Sequence, residues 1–394
     1  MNRSKKLTVG LFNDTFYPMV DGVVSVVNNY AKYLSKYANV IVFVPKFPHN
    51  NFDDSTLPYK VVRCKSVNIP YGDYPWPLPN LDKKFMHELE GYKLDIIHIH
   101  SPFGLGKIGI KYAKKHNIPV VATMHSQFKQ DFKRAVKLNS LASFLTKTRI
   151  NIFNKCDECW AVNSEVARIF YEDYHYKTMP RVMNNATEML PIKKDSKEVE
   201  LITKKYKLNK NEKIFLFVGR LNKLKGVIFL ANSLKILKDN NPNFKFKMLF
   251  VGTGQDESEL KELVKINKMQ KEIIFCGKVT DRNLLAGFYK IADLFLFPSL
   301  YDASSIVQIE AACESTPTVF VEGAATTATI TNNVNGFIAP YNEKEYANKI
   351  VEIMNNKKLY NQVSKNAYKD LYINWDKQIK QVYNLYNMLI ESKK

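Results

Sequence analysis

Ser299-Leu-Tyr-Asp-Ala-Ser-Ser-Ile-Val-Gln-Ile-Glu-Ala-Ala312 is the stretch on which the fold turns. Just before it runs Ala292-Asp-Leu-Phe-Leu-Phe-Pro298, a short, apolar, aromatic-rich segment ended by a proline. That pattern reads as a buried strand. After it, Ile306, Ile309, Glu310 and Cys313 recur at helical spacing. The chain therefore goes strand, short loop, helix, with Asp302 in the loop and Glu310 on the helix. Ser304, Ser305 and the amides from Ile306 onward fall at the helix N-terminus. Free N–H groups and the helix dipole make that an anion site, above all for phosphate. Two carboxylates beside a phosphate site fit a sugar nucleotide: the amides hold the diphosphate and a carboxylate holds hydroxyls. An ordinary strand-to-helix turn with a capping Asp and a solvated Glu has the same residues.

The chain has 394 residues, room for two domains, and 45% of them are hydrophobic. Five cysteines, few and odd in number, argue against a disulfide framework and for a reducing compartment. Cys156-Asp-Glu-Cys159 is a lone C-x-x-C with no histidine ligands close by, so it reads as two buried thiols. No apolar run approaches the roughly 20 residues that span a bilayer. The N-terminal Arg3, Lys5 and Lys6 are followed by too short an apolar run for a signal peptide. The expectation is a cytoplasmic protein. The net charge of +20 fits nucleic acid, an anionic membrane surface, or a composition that is lysine-rich throughout. No nucleic-acid motif appears and the positive residues are spread over both halves, so no nucleic-acid partner is expected.

The same alternation fills the rest of the chain. Leu7–Phe12, 40–44, 59–63, 95–100 and 119–124 read as strands, with helices between them from Val23, Phe85 and Gly104. Residues 69–79 hold four prolines and read as an extended loop. Strand alternating with helix means a parallel sheet with right-handed crossovers, whose ligands bind beyond the carboxyl ends of the strands. His100 and His125 fall there, while Gly22 opens the first helix; His98, inside its strand, reads as core. Residues 128–155 read as one long helix, with seven basic residues against Asp131 and apolar residues interleaved. Such a helix suits a membrane surface, or packing on its own domain. Residues 191–211 are polar and read as a linker. A second α/β unit begins at Lys213. In it, the strand 214–218 feeds Gly219-Arg220 and Lys225-Gly226, and the strand 247–251 feeds Gly252-Thr-Gly254. From Glu343 the chain reads as helical, with Trp375 anchoring the last helix.

Gly22 before the first helix, His125 after a strand, Gly219-Arg220 with Lys225-Gly226, Gly252-Thr-Gly254 and Asp302-x7-Glu310-Ala311 stand in one order. In that order the chain resembles retaining glycosyltransferase family 4, which includes glycogen synthase, bacterial mannosyltransferases and diacylglycerol glucosyltransferases. The resemblance implies an α/β protein of the GT-B fold, two Rossmann-like doubly wound domains facing across a cleft. The expected division is 1–188 as the acceptor-side domain, 189–212 as linker, 213–365 as the nucleotide-sugar domain and 366–394 as a helix returning to the first domain. It further implies that Glu310 contacts the ribose and Asp302 the donor sugar. Arg220 and Lys225 would bind the diphosphate and stabilise the leaving group, and His125 would lie near the reacting sugar. Gly22, Gly219, Gly252, Gly254, Ser304, Ser305 and Ile306 would complete the donor site, and Asp21, His100 and Ser101 would face the acceptor or sugar. No metal or cofactor is expected beyond the nucleotide sugar itself, UDP-glucose being favoured.

Three departures stand out. Asp302 is one methylene shorter than the family's usual Glu. Ser305 replaces a glycine, and Ala186 follows Asn185 where glycine is common. Ser101-Pro-Phe-Gly and the loop before Gly22 look similar to lipid-directed members, which implies a lipid or lipid-linked acceptor such as diacylglycerol at the inner face of the membrane. A polysaccharide or polyprenyl-linked acceptor, and a non-catalytic partner subunit, stay compatible with these residues. Oligomeric state is left open.

Overall fold

The β-branched and aromatic runs pair into two parallel sheets. The structure, a computed structural model, describes residues 6–19, 21–48, 52–68 and 75–394. It divides into two units: the chain up to Asn185 together with Trp375–Lys394, and Ala186–Asn374.

The first unit's sheet runs Lys60–Cys64, Asn39–Pro45, Thr8–Phe12, Ile96–Ile99, Val120–Met124, Glu158–Ala161, Arg181–Val182. The second runs Ile273–Gly277, Phe246–Val251, Lys213–Val218, Leu294–Leu296, Thr318–Val321, Phe337–Ala339. Every neighbouring pair is parallel, as buried apolar strands joined by helices require. In both sheets the first strand lies inside, and the chain moves outward to one side before crossing to the other. That makes a topological switch point between the first and fourth strands, where doubly wound folds bind ligands. Phe215, Leu216 and Phe217 in the second sheet and Val9, Leu11 and Phe12 in the first are fully buried.

Several sequence expectations shift. The helix over 128–155 is two helices, Phe128–Val136 and Asn139–Phe153. Lys137 breaks it, with φ 53° and its N–H donated to the Lys133 carbonyl, a left-handed cap. The segment expected as a linker belongs to the second unit, because Lys197–Lys205 is an amphipathic helix that buries Ile202 and packs on Arg282–Ile291. The helical C-terminal region is three helices, Glu343–Asn355, Lys357–Leu371 and Trp375–Ser392, and the second of them stays in the second unit. Trp375 does anchor the last helix, fully buried, with its ring 5.2 Å from that of Tyr30. In the proline-rich loop, Pro75–Pro77 pairs antiparallel with Ser66–Asn68, and 69–74 lie outside the described residues, as do Arg3 and Lys5. Cys156 and Cys159 are buried free thiols, as expected.

Candidate active site

In the second unit the first strand ends at Val218 and the fourth at Leu296, and the loops that follow carry the candidate residues. Lys225 closes a short 3-10 turn, and its Nζ forms an ion pair with Asp302 Oδ1. Both side chains are about 15% exposed, 16% for Lys225 and 15% for Asp302. A pair so removed from water holds only with good geometry, because desolvation opposes the attraction. The other carboxylate oxygen, Asp302 Oδ2, is buried without a hydrogen-bond partner among the described residues. Gly226 follows at φ 74°, and a Cβ there would stand 2.6 Å from the Pro298 carbonyl oxygen. Only glycine lets the Lys225 turn sit against the loop that carries Asp302.

Gly219, Gly252 and Gly254 pack against each other's loops. Gly252 has φ 133°, and a Cβ on it would fall 1.9 Å from the Gly219 carbonyl oxygen. Gly254 lies as tightly on Leu221, and the Leu221 N–H donates to the Thr253 carbonyl at 3.0 Å. These glycines set the height of the loop bearing Arg220, which is exposed. Ser305 is the N-cap residue of Ile306–Cys313, but its side chain makes no capping bond to the helix. Ser304 and Ile306 flank it, half-buried.

Glu310 lies on the helix Ile306–Cys313. It is 3% exposed and both carboxylate oxygens are engaged. Arg282 Nη2 donates to Oε1 at 2.5 Å and the Tyr289 hydroxyl to Oε2 at 3.0 Å. Arg282 also lies 3.4 Å from Glu188. Burial, and then the Glu310 charge, push the Tyr289 hydroxyl well above its ordinary range. The sequence reading passed over Arg282 and Tyr289. Their signal is the spacing: seven residues apart on one helix, they share a face.

In the first unit Asp21 caps the helix Gly22–Leu34, its Oδ1 accepting the Val24 N–H at 2.8 Å. A Cβ on Gly22 would meet nothing within 4 Å among the described residues. Ser101 donates from Oγ to Asp14 Oδ2 at 2.5 Å and accepts the Asp14 N–H at 2.9 Å. Leu105 N–H donates to Asp14 Oδ1 at 2.8 Å. Burial still pushes the Asp14 carboxyl up. His100 is 3% exposed and stands behind His125. His125, half-buried, shares a 3.0 Å hydrogen bond from its Nε2 with His100 Nδ1. Burial lowers His125 to about 3 and pushes His98 and His100 well down, so all three rings are neutral near pH 7. Among the described residues no group of three or more His, Cys, Asp or Glu is arranged to hold a metal ion, and no helix is long and apolar enough to cross a membrane.

Comparison with known proteins places these two units. The family model described as Glycosyltransferase Family 4 matches residues 20–187, and Glycosyl transferases group 1 matches 198–370. The chain belongs to these glycosyltransferases. The glycosyltransferase is 25% identical over 374 residues to an alpha-monoglucosyldiacylglycerol synthase of Acholeplasma laidlawii, covering 92% of each chain. It is 24% identical to the protein of the same name from Streptococcus pneumoniae, over 88% of this chain and 78% of that one. Among solved structures, a sucrose-phosphate synthase from Thermosynechococcus elongatus superposes with a TM-score of 0.79 at 19% identity, covering 98% of this chain and 100% of that one. Anabaena HepE in complex with UDP and glucose gives 0.74 at 15%, covering 96% and 99%. At those identities they establish the fold, which is GT-B.

Proposed function

We propose that the glycosyltransferase moves glucose from UDP-glucose to a lipid hydroxyl, diacylglycerol being the favoured acceptor, with retention at the anomeric carbon. The observation that carries the donor half is the Lys225–Asp302 pair, which sets a cation and a half-satisfied carboxylate side by side at the switch point. Lys225 and Arg220 neutralise the charge that grows on the departing diphosphate, and the amides at the start of Ile306–Cys313, which the Ser305 side chain does not cap, add to it. Asp302 Oδ2 accepts from a sugar hydroxyl. The bond from the anomeric carbon to the phosphate oxygen breaks as the bond to the acceptor oxygen forms on the same face. The acceptor's proton passes to the leaving phosphate. No step calls on a metal.

The lipid half is supported by the two monoglucosyldiacylglycerol synthases, which match across most of their length. It is also supported by the helices Phe128–Val136 and Asn139–Phe153. Leu138, Leu141 and Phe144 there are 56%, 41% and 63% exposed. Lys133, Arg134, Lys137 and Lys147 are exposed on the same segment. Apolar anchors with basic residues fit an anionic bilayer, each basic residue near the surface contributing about 1 kcal/mol.

Turnover is the test. The protein is given UDP-glucose, UDP-galactose, UDP-N-acetylglucosamine or GDP-mannose with mixed micelles of diacylglycerol and anionic phospholipid, and nucleotide and glycolipid are both followed. Glycolipid formed from UDP-glucose alone is the expected result. Nucleotide release without glycolipid moves the acceptor to a polysaccharide or polyprenyl carrier. No release from any donor, by folded protein that binds nucleotide, overturns the enzymatic reading in favour of a silent partner.

A further inference from the structure

His125 is the open end of a ladder of three imidazoles. The His100 ring lies 4.1 Å from His98 and 5.3 Å from His125, at interplanar angles of 27° and 23°. His98 has both nitrogens engaged, Nδ1 with the Tyr386 hydroxyl at 2.6 Å and Nε2 with Thr123 Oγ1 at 2.7 Å. Tyr386 belongs to the C-terminal helix, so that helix fixes the inner rung. His100 spends Nδ1 on the 3.0 Å bond to His125 Nε2, and its own Nε2 is buried with no partner among the described residues. His125 Nδ1 makes no hydrogen bond among the described residues and belongs to the half-buried outer ring.

One proton lies between His100 and His125, and its owner fixes both tautomers. Were His125 the donor, His100 would carry its proton on Nε2, an N–H sealed from water with nothing to receive it. With His100 as donor, only a lone pair is left there. Orphaned buried N–H groups are rarer than under-satisfied acceptors. We infer that His100 is a positioning residue, donating from Nδ1 to His125 Nε2 and so obliging His125 to carry its proton on Nδ1. The free edge of His125 is then a neutral N–H donor and not a base. Such an edge suits an oxygen of the donor sugar or its diphosphate and has no lone pair for an acceptor proton. Its ligand rests on the function proposed above; the tautomer does not.

The experiment has two readouts. Side-chain ¹⁵N spectra of histidine-labelled protein without ligand, assigned with His100→Phe and His125→Asn, report which nitrogen of each ring is bare. The inference expects bare Nε2 and protonated Nδ1 on both His100 and His125. Protonated Nε2 on His100 overturns it. Turnover is the second readout. His100→Phe should lower kcat/KM for the donor on the order of tenfold, the scale of one lost hydrogen bond. His100→Asn, which puts an amide N–H in place of Nδ1, should restore most of that loss and hold the His125 tautomer; His100→Gln should do neither. If the His125 spectrum is the same in all three variants, His100 is packing alone and the inference fails. A protein with no transferase activity still gives the spectra, so failure of the function and failure of the inference are told apart.

Discussion

The two units place a polar pair at the same spot and use it in opposite ways. In each, the loop after the first strand meets the loop after the fourth. In the first unit these are Asp14 and Ser101, and their bonds are reciprocal, with Leu105 N–H filling the remaining carboxylate oxygen. In the second they are Lys225 and Asp302, and one carboxylate oxygen is left open. The first pair is a closed fastening and the second an unfinished one. Shared topology fixes where such a pair sits; spare hydrogen-bonding capacity separates a site from a strut.

The sharpest way to break this contrast is Lys225→Ala. It should lower transfer on the order of 10²–10³-fold, as loss of a donor to a developing oxyanion does. The far-ultraviolet circular dichroism should not change. Full activity in this variant removes the site assignment.

Acid should separate the units next. All seven histidines lie within residues 49–175 and none within the second unit. His98, His100 and His125 have lowered folded-state pKa values, His125 to about 3. The unfolded chain binds a proton at each near pH 6.5 and the native one does not. Their contribution is therefore full above pH 6.5 and is lost as pH falls toward the depressed values, by about 1.4 kcal/mol per histidine per pH unit. Trp76, Trp160 and Trp375 all belong to the first unit, so tryptophan fluorescence in urea follows it alone. Its midpoint should drop between pH 7 and 5.5, while opening free energies from hydrogen exchange in Lys213–Val218 hold. Equal losses in both units would contradict the histidine origin.

The smallest effect belongs to Asp14→Ala. It strands the Leu105 N–H and the Ser101 hydroxyl, at a cost of about 1–3 kcal/mol. The loss should appear in the tryptophan-monitored urea midpoint and not in nucleotide affinity, measured calorimetrically.

Much of this was legible in the sequence because strand and helix periods differ and glycines mark tight loops. Every strand of both main sheets except the two-residue Arg181–Val182 falls on an apolar or β-branched run. The positions of Lys225, Asp302 and His125 beyond strand ends follow from that alone. What did not follow was who pairs with whom. Nothing local to Glu310 announces Arg282, which lies 28 residues earlier. Nothing local to His100 shows that its ring is sealed between His98 and His125. The break at Lys137 was invisible too, since lysine rarely takes a positive φ and no glycine marks the turn.

The first unit is also discontinuous in a way that orders events during synthesis. Its sheet strands are all made before residue 186, yet Tyr386, which holds His98, and Trp375, which packs on Tyr30, come only after residue 374. On the ribosome the earlier domain must wait, with an apolar flank uncovered, while the later one is translated. A nascent chain stalled after residue 374 would have both sheets and an imidazole ladder missing its inner support. The helix Trp375–Ser392 thus ties the inner rung of the histidine ladder to synthesis of the second unit, since His98 gains its Tyr386 partner only after residues 186–374 have been made.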